Sequence, residues 1–568
     1  MPANYLEPDV MVNITDPHTK IPMMFRAQVG GRCQLNYINN KDDSDIDRWA
    51  KEWVERADDI PPQFSAQVQT KTYEIGWRFV TNGGQDDGVI RPVMGAQGVP
   101  FYPGSSMKGA FRRVCNLSQR ERYCGKQTSS KDMEPGILRF HGGYPTDKSW
   151  QEKLVDIVHP QQGWQVQSSE RPGSAFALMS LYQPELRFGI SSTITLPEEE
   201  WDIIWQLWEK ALTTGIGCRV SAGYGQPKTS AVKPLYQTQL KGQGIAPKLL
   251  DGSAEFRPNI FRAAIRGHAL RIFGGLTNAE NAEKAVGQLF GDTQRDGGVV
   301  GLLTMGFETT ELELGTFGQG TWKVPTYEVE GKLNWFLTQK SLPLDHQKAL
   351  LNLIAYLTRF AMILGGFGRS WRRVDHRLFY EEYYNPGPKG LIGCQWEWQG
   401  TQALMRDVKV RRPEHLSKFL AEVQTIASTW LELKGFPVNP NNYARNWREA
   451  WHPEKVKIFG CLTDGDYSEA IEWFHGPYRE ANSSLGTTQG SIYRTSVTGR
   501  MSQIGRIWHR MYPVVKVIPD PAAPNGRAPQ ETANYLEFLT IFPDDSPASR
   551  DFVDFLTAHE KFQLLWPN

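Results

Sequence analysis

The chain has 568 residues, 40% of them apolar, and carries 63 Lys and Arg against 62 Asp and Glu for a formal net charge of +1. That length allows two or three domains, and the near-neutral balance excludes a protein held to nucleic acid by bulk charge, so any anion site has to be local. No apolar run approaches the ~20 residues of a membrane span, no basic-then-apolar leader opens the chain, and the six cysteines form no CxxC pair, so a cytoplasmic protein with no membrane partner and no zinc site is expected.

Residues 1–70 read as an N-terminal extension: a strand pair at 23–29 and 33–37, a charged helix near 45–56, and a break at Pro61-Pro62. Residues 71–240 read as a first domain. A strand at 73–80 and a polar loop at 82–88 precede the turn Pro103-Gly104, and Ser105 or Ser106 can cap the helix that follows. Met107, Phe111 and Val114 share one face of that helix, and Lys108 and Arg112 share a neighbouring one. Free N–H groups at a helix start, with cations one turn on, suit phosphate. A strand at 136–140, a strand region at 175–195 and a helix at 197–213 lead to the glycine-rich loop 215–225. Its Gly217, Arg219, Ser221 and Tyr224 are candidates for contact with a phosphate or ribose.

The pattern then recurs. Phe261-Arg262-Ala263-Ala264-Ile265-Arg266 repeats Met107-Lys108-Gly109-Ala110-Phe111-Arg112 position by position. Between Phe256 and Phe273 stand Arg257, Arg262, Arg266, His268 and Arg271 without a carboxylate. A long apolar helix at 345–364 leads to a second loop, Gly365-Gly366-Phe367-Gly368-Arg369-Ser370-Trp371-Arg372-Arg373, at nearly the spacing of the first. Two helices and two glycine loops in one order imply tandem copies of one domain. The order strand, helix, two strands, helix, strand predicts an α+β fold of two ferredoxin-like, RRM-like βαββαβ domains. The second domain is expected at 241–400, interrupted by a helical, Trp-rich insertion at 401–499 and completed by 500–568, with an exposed Pro/Ala loop at 519–529.

Pro103-Gly104-Ser105-Ser106-Met107-Lys108-Gly109 resembles the signature of the RAMP superfamily, the backbone subunits of type III CRISPR effector complexes, and 215–225 is similar to that family's C-terminal glycine-rich loop. Two such domains in one chain resemble the fused double subunits of type III-D-like systems. The resemblance implies guide-RNA binding through helix and loop and a hairpin that kinks the guide–target duplex. It also implies partners: guide RNA, target RNA, other backbone subunits, a large polymerase-like subunit and small subunits. In many members an aspartate in the loop after the first strand cuts the target, two positions before a Pro-Val or Pro-Ile pair. Here that pair is Pro92-Val93 and the position holds Ile90, so Asp86 and Asp87 are the first-loop candidates. Asp251 lies in the equivalent second loop and is the leading candidate.

RNA cleavage of this kind aligns a 2′-OH with its own phosphate, and a carboxylate accepts the proton or holds a divalent ion, Mg2+ being expected. The bland reading of Asp251 is a turn residue before Gly252. Lys108 and Arg112 could be solvated cations, but their duplication as Arg262 and Arg266 favours phosphate. Arg369, Trp371 and Arg372 suit a backbone-and-stacking surface. His141, His268 and His376 lack partners at metal-ligand spacing and read as structural. P-loop and dinucleotide readings fail on spacing. A guide-processing endonuclease fails for want of a histidine pair near a glycine loop. The expectation is a guide-holding subunit and metal-assisted endoribonuclease, the alternative a non-catalytic RNA scaffold.

Overall fold

The computed structural model describes residues 45–567, apart from 59, 82, 87–88, 96–97, 129–131, 159–162, 169–175, 230–231, 250–251, 293–297, 339–341, 501–502 and 524. The expected strands at 23–29 and 33–37 lie outside the described residues. The fold is mixed α+β. It divides into two compact units, Met1–His159 with Ala175–Val232, and Pro160–Ser174 with Lys233–Asn568. No helix among the described residues is long and apolar enough to cross a membrane.

In the first unit, helix α1 (Asp45–Arg56) buries Ile46, Trp49, Ala50 and Trp53, spaced to form one helical face. Trp53 Nε1 donates to the Gly98 carbonyl at 2.7 Å, and its ring lies 5.1 Å from that of Trp150. Residues 45–56 therefore belong to this core rather than to a separate extension. The main sheet is antiparallel. Strand β1 (Gln69–Glu74) and β2 (Leu138–Pro145) flank β3 (Glu185–Ser192). Leu186, Phe188 and Ile190 point to one face of β3, as a period of two requires. On that face pack α2 (Gly104–Val114) and α4 (Glu198–Thr213), with Phe111 5.1 Å from Phe140 and Phe188 4.9 Å from Trp208. Between them α3 (Leu117–Cys124) opens on Asn116, whose side chain and Gln119 form a capping box.

Three sequence expectations change here. The strand over 73–80 stops at Glu74, and Arg78–Phe79 pairs instead with Leu181–Tyr182. The polar loop contains a strand, Gly84–Asp86, in a second sheet with Val89–Arg91, Phe176–Met179 and Val155–Val158. Among the described residues no fourth strand joins this sheet after α4; the bridge from Ile75 to Pro227, just past the glycine loop, stands beside the end of β1.

The second unit holds two four-stranded antiparallel sheets. The first runs β5 (Leu303–Phe317), β6 (Val324–Leu337), β4 (Tyr236–Ile245), β7 (Cys394–Trp398). Helices α5 (Asn259–Gly274) and α6 (Ala279–Phe290) follow β4, and α7 (Leu344–Leu364) follows β6. In α5, Phe261 and Ile265 are fully buried, as Met107 and Phe111 are in α2. Both α3 and α6 start at an asparagine cap and end at a glycine. After α8 (His415–Leu433) the second sheet begins. It runs β9 (Ile507–Pro519), β10 (Arg527–Ile541), β8 (Lys457–Asp464), β11 (Gln563–Trp566), with α9 (Glu469–His475) after β8 and α10 (Pro547–Thr557) after β10.

Residues 500–568 thus do not complete the sheet of 236–398, which β7 closes. They pair with Lys457–Asp464, a strand inside the stretch expected to be a helical insertion. The expected loop at 519–529 shrinks to the turn between β9 and β10.

Candidate nucleic-acid interface

In the first unit the start of α2 sits backbone to backbone on β2. A Cβ on Gly104 would lie 2.0 Å from the Phe140 carbonyl oxygen, so only glycine permits this approach. No side chain caps the helix; Pro103 occupies the N-cap, and Ser105 and Ser106 are exposed in the first turn. The early N–H groups, at the positive end of the helix dipole, are therefore not taken by a capping side chain. Lys108 is half-buried, while Arg112 and Arg113 are exposed. Among the described residues no hydrogen bond or ion pair joins these three to another side chain.

The glycine loop follows α4 and folds against Arg78–Val80. Cys218 N–H donates to the Val80 carbonyl at 2.7 Å and Gly225 N–H to that of Arg78 at 2.7 Å. Gly217 has φ 79°, and a Cβ there would lie 2.2 Å from Val80 O. Tyr102 ties loop to helix. Burial pushes its phenol up to about 12, while the nearby Arg113 and a hydrogen bond from the Gly217 backbone hold it back. Gly217 is exposed; Ser221 and Arg219 are half-buried, with the Arg219 guanidinium 5.6 Å from the Tyr224 ring. Tyr224 is fully buried and donates to Asp156 Oδ2 at 2.7 Å, which removes it as a ribose contact.

Arg113 and Arg120 are cations that spacing alone did not single out. Cys124 is held below the usual thiol range, first by a hydrogen bond from Cys115 and then, against burial, by Lys108, Arg112 and Arg120. Three cations from two helices therefore converge on one thiol. Arg122, by contrast, is taken by Glu200 at 2.7 and 3.0 Å.

The second unit uses the same residue types differently. Arg262 donates to the Phe290 carbonyl at the end of α6. Arg266 is lowered by burial, with Asp292 and Glu283 nearby. In its glycine loop Arg369 is exposed and without a described partner. Arg372 instead makes a bidentate pair with Glu449, at 2.7 and 3.1 Å. Arg271 bonds the same carboxylate at 2.9 and 2.6 Å, and Arg448 Nε stands 3.8 Å away. Trp371 packs between the Arg271 and Arg372 guanidinium groups, 5.4 and 5.0 Å from its ring, and lies 5.0 Å from Trp508. Arg373 is half-buried and donates to the carbonyls of Ile507 and Thr498. Arg372 and Trp371 thus join α5 and Glu449 to the last sheet, which corrects their expected place on an open RNA surface. The cause is Glu449, delivered by the chain after α8.

Asp86 ends the strand Gly84–Asp86; Asp87 and Asp251 lie outside the described residues. Glu255, four residues after Asp251, is buried and accepts from Arg257 at 2.8 Å. Among the described residues no group of three or more His, Cys, Asp and Glu could hold a metal ion. His376 and His475 do form a pair near the second loop, their rings 5.4 Å apart. Burial drives both below the usual imidazole range, and His376 is 1% exposed, out of reach of a phosphodiester.

No protein-family model matches the sequence, and no curated protein matches it. Among solved structures, a chain of the type III-B Cmr-β complex bound to cognate target RNA is similar at 18% identity and a TM-score of 0.23, over 28% of this chain and 58% of that one. A chain of a type IV-B CRISPR complex is similar at 15% identity and a TM-score of 0.20, over 29% of this chain and 91% of that one.

Proposed function

We propose that the chain is a guide-RNA-binding backbone subunit of a type III CRISPR ribonucleoprotein, built of tandem ferredoxin-like RAMP domains and working in the cytoplasm with other effector subunits. One observation carries the proposal: in the first unit a helix start without a side-chain cap carries Lys108, Arg112 and Arg113, which have no described side-chain partners, and Arg113 and the exposed Gly217 of the glycine loop both lie beside Tyr102. Amides and cations so arranged bind successive phosphates of a single strand without reading its bases.

The strand orders support the fold part. In both sheets of the second unit the second, third, first and fourth strands of a βαββαβ run lie side by side in that order. The sheet of the first unit has the same order without its fourth strand, and the last sheet extends the proposal to a third such domain.

The subunit presents paired target RNA for cleavage, with Asp251, or Asp86 and Asp87, accepting the 2′-OH proton. A hard divalent ion such as Mg2+ keeps most of its waters and needs few protein oxygens, so one aspartate could hold it; when bound it neutralises charge on the phosphate. The test is the assembled complex with labelled target RNA, with Mg2+ or with a chelator, comparing wild type, Asp251→Ala and Asp86→Ala/Asp87→Ala. Lost cleavage with retained binding supports a catalytic subunit. Undiminished cleavage in every variant leaves the chain a non-catalytic scaffold.

A further inference from the structure

The ribbon of β5 and β6 extends along the free edge of its sheet. β5 is the outermost strand, and residues 309–314 are exposed along their whole length. The register sets Glu311 opposite Glu330 and Glu313 opposite Glu328, so carboxylate faces carboxylate twice in succession. Like charges at directly opposed positions repel. Lys241 at 3.6 Å and the Gln399 amide at 3.2 Å relieve Glu330. Among the described residues no cation or donor reaches Glu311, Glu313 or Glu328. The alternate positions, Leu312 and Leu314, are 41% and 43% exposed, and Trp322 near the turn is 55% exposed.

An open edge is a template for another strand, and an apolar stripe along it adds specificity for alternate side chains. We propose that the free edge of β5 receives an extended, Lys- or Arg-bearing segment of a partner protein. Its main chain pairs with β5, its cations meet Glu311 and Glu313, and its apolar side chains cover Leu312 and Leu314. Charge decides the class of partner. A nucleic-acid backbone would face three carboxylates with no counter-charge, whereas a basic segment removes a repulsion that the ribbon carries by itself. The inference stands apart from the RNA site of the first unit and survives or fails without it.

The probe is a fluorescent octapeptide of alternating Lys and Val, titrated into the full-length protein at low salt. The controls are an alternating Glu/Val peptide, a Lys peptide with Pro at every second position, and a single-stranded oligouridine. The protein variants are Glu311→Gln/Glu313→Gln/Glu328→Gln and Leu312→Thr/Leu314→Thr. Two exposed ion pairs at ~0.5 kcal/mol each, to Glu311 and Glu313, correspond to about fivefold in affinity. The Lys/Val peptide is therefore expected to bind wild type, to bind the triple Gln variant about fivefold more weakly, and to lose affinity in the Leu variant. Equal binding to the triple Gln variant would overturn the proposal, as would equal binding of the Pro peptide or no binding to wild type. Oligouridine affinity that falls in the Leu variant would assign the ribbon to RNA instead. The Gln variants keep size and shape and remove repulsion, so they fold, and circular dichroism checks that they do.

Discussion

Glu449→Gln removes one charge from the centre of the second unit and keeps the shape of the side chain. Burial alone would push this carboxyl up, but Arg372, Arg271 and Arg448 outweigh it and bring it down to about 2, from 4.5. A shift of that size corresponds to about 3 kcal/mol of stability at neutral pH. A second route agrees: the substitution strands Arg271 and Arg372 at a site where Arg271 is 3% exposed, and breaking a buried pair from one side costs about 3–5 kcal/mol. The sign follows from the depressed value. The contribution is complete above pH 4.5 and is lost as pH falls toward 2, because the folded state resists the proton. Urea unfolding of the second unit can be followed by tryptophan fluorescence, since Trp508 lies 5.1 Å from the Arg271 guanidinium. The expected outcome is a loss of about 3 kcal/mol at pH 7 in the variant, which then lacks the acid-dependent loss of wild type between pH 4.5 and 2. A variant within ~0.5 kcal/mol of wild type at pH 7 would refute the hub.

Trp53→Ala should destabilise the first unit by about 3–5 kcal/mol, since the ring is fully buried and its N–H is bonded; thermal unfolding reads this. Glu328→Lys places a cation opposite Glu313 and should stabilise the β5–β6 ribbon by about 0.5–1 kcal/mol, seen as slower amide exchange in the ribbon alone. Arg372→Ala should lower the stability of the second unit while leaving the salt dependence of RNA binding unchanged, because its guanidinium faces Glu449.

Helix α2 was legible because its signals are local: a Pro-Gly turn, apolar residues four apart, and a glycine where the helix touches β2. The match in sequence between 261–266 and 107–112 has a match in burial, Phe261 and Ile265 being buried as Met107 and Phe111 are. The fate of the matching cations was not legible. Arg262 turns to the Phe290 carbonyl and Arg372 to Glu449, partners 28 and 77 residues away that no local pattern announces. The last sheet was hidden for another reason. Its first strand, Lys457–Asp464, is short and lies in a Trp-rich, helical stretch, and the helix after it has only seven residues, too few to show a period. Among the described residues the expected fourth strand of the first unit does not form, and the glycine loop bonds Arg78 and Val80 through its backbone instead.

The account depends on the open cradle of α2 and its glycine loop holding an RNA backbone. The measurement that tests it most directly is guide-RNA affinity against salt concentration for wild type and Lys108→Ala/Arg112→Ala/Arg113→Ala. Each phosphate contact on a single strand contributes about 0.7 to the slope of log affinity against log salt, so three lost contacts predict a slope shallower by about 2. Parallel salt plots with unchanged affinity would contradict the account.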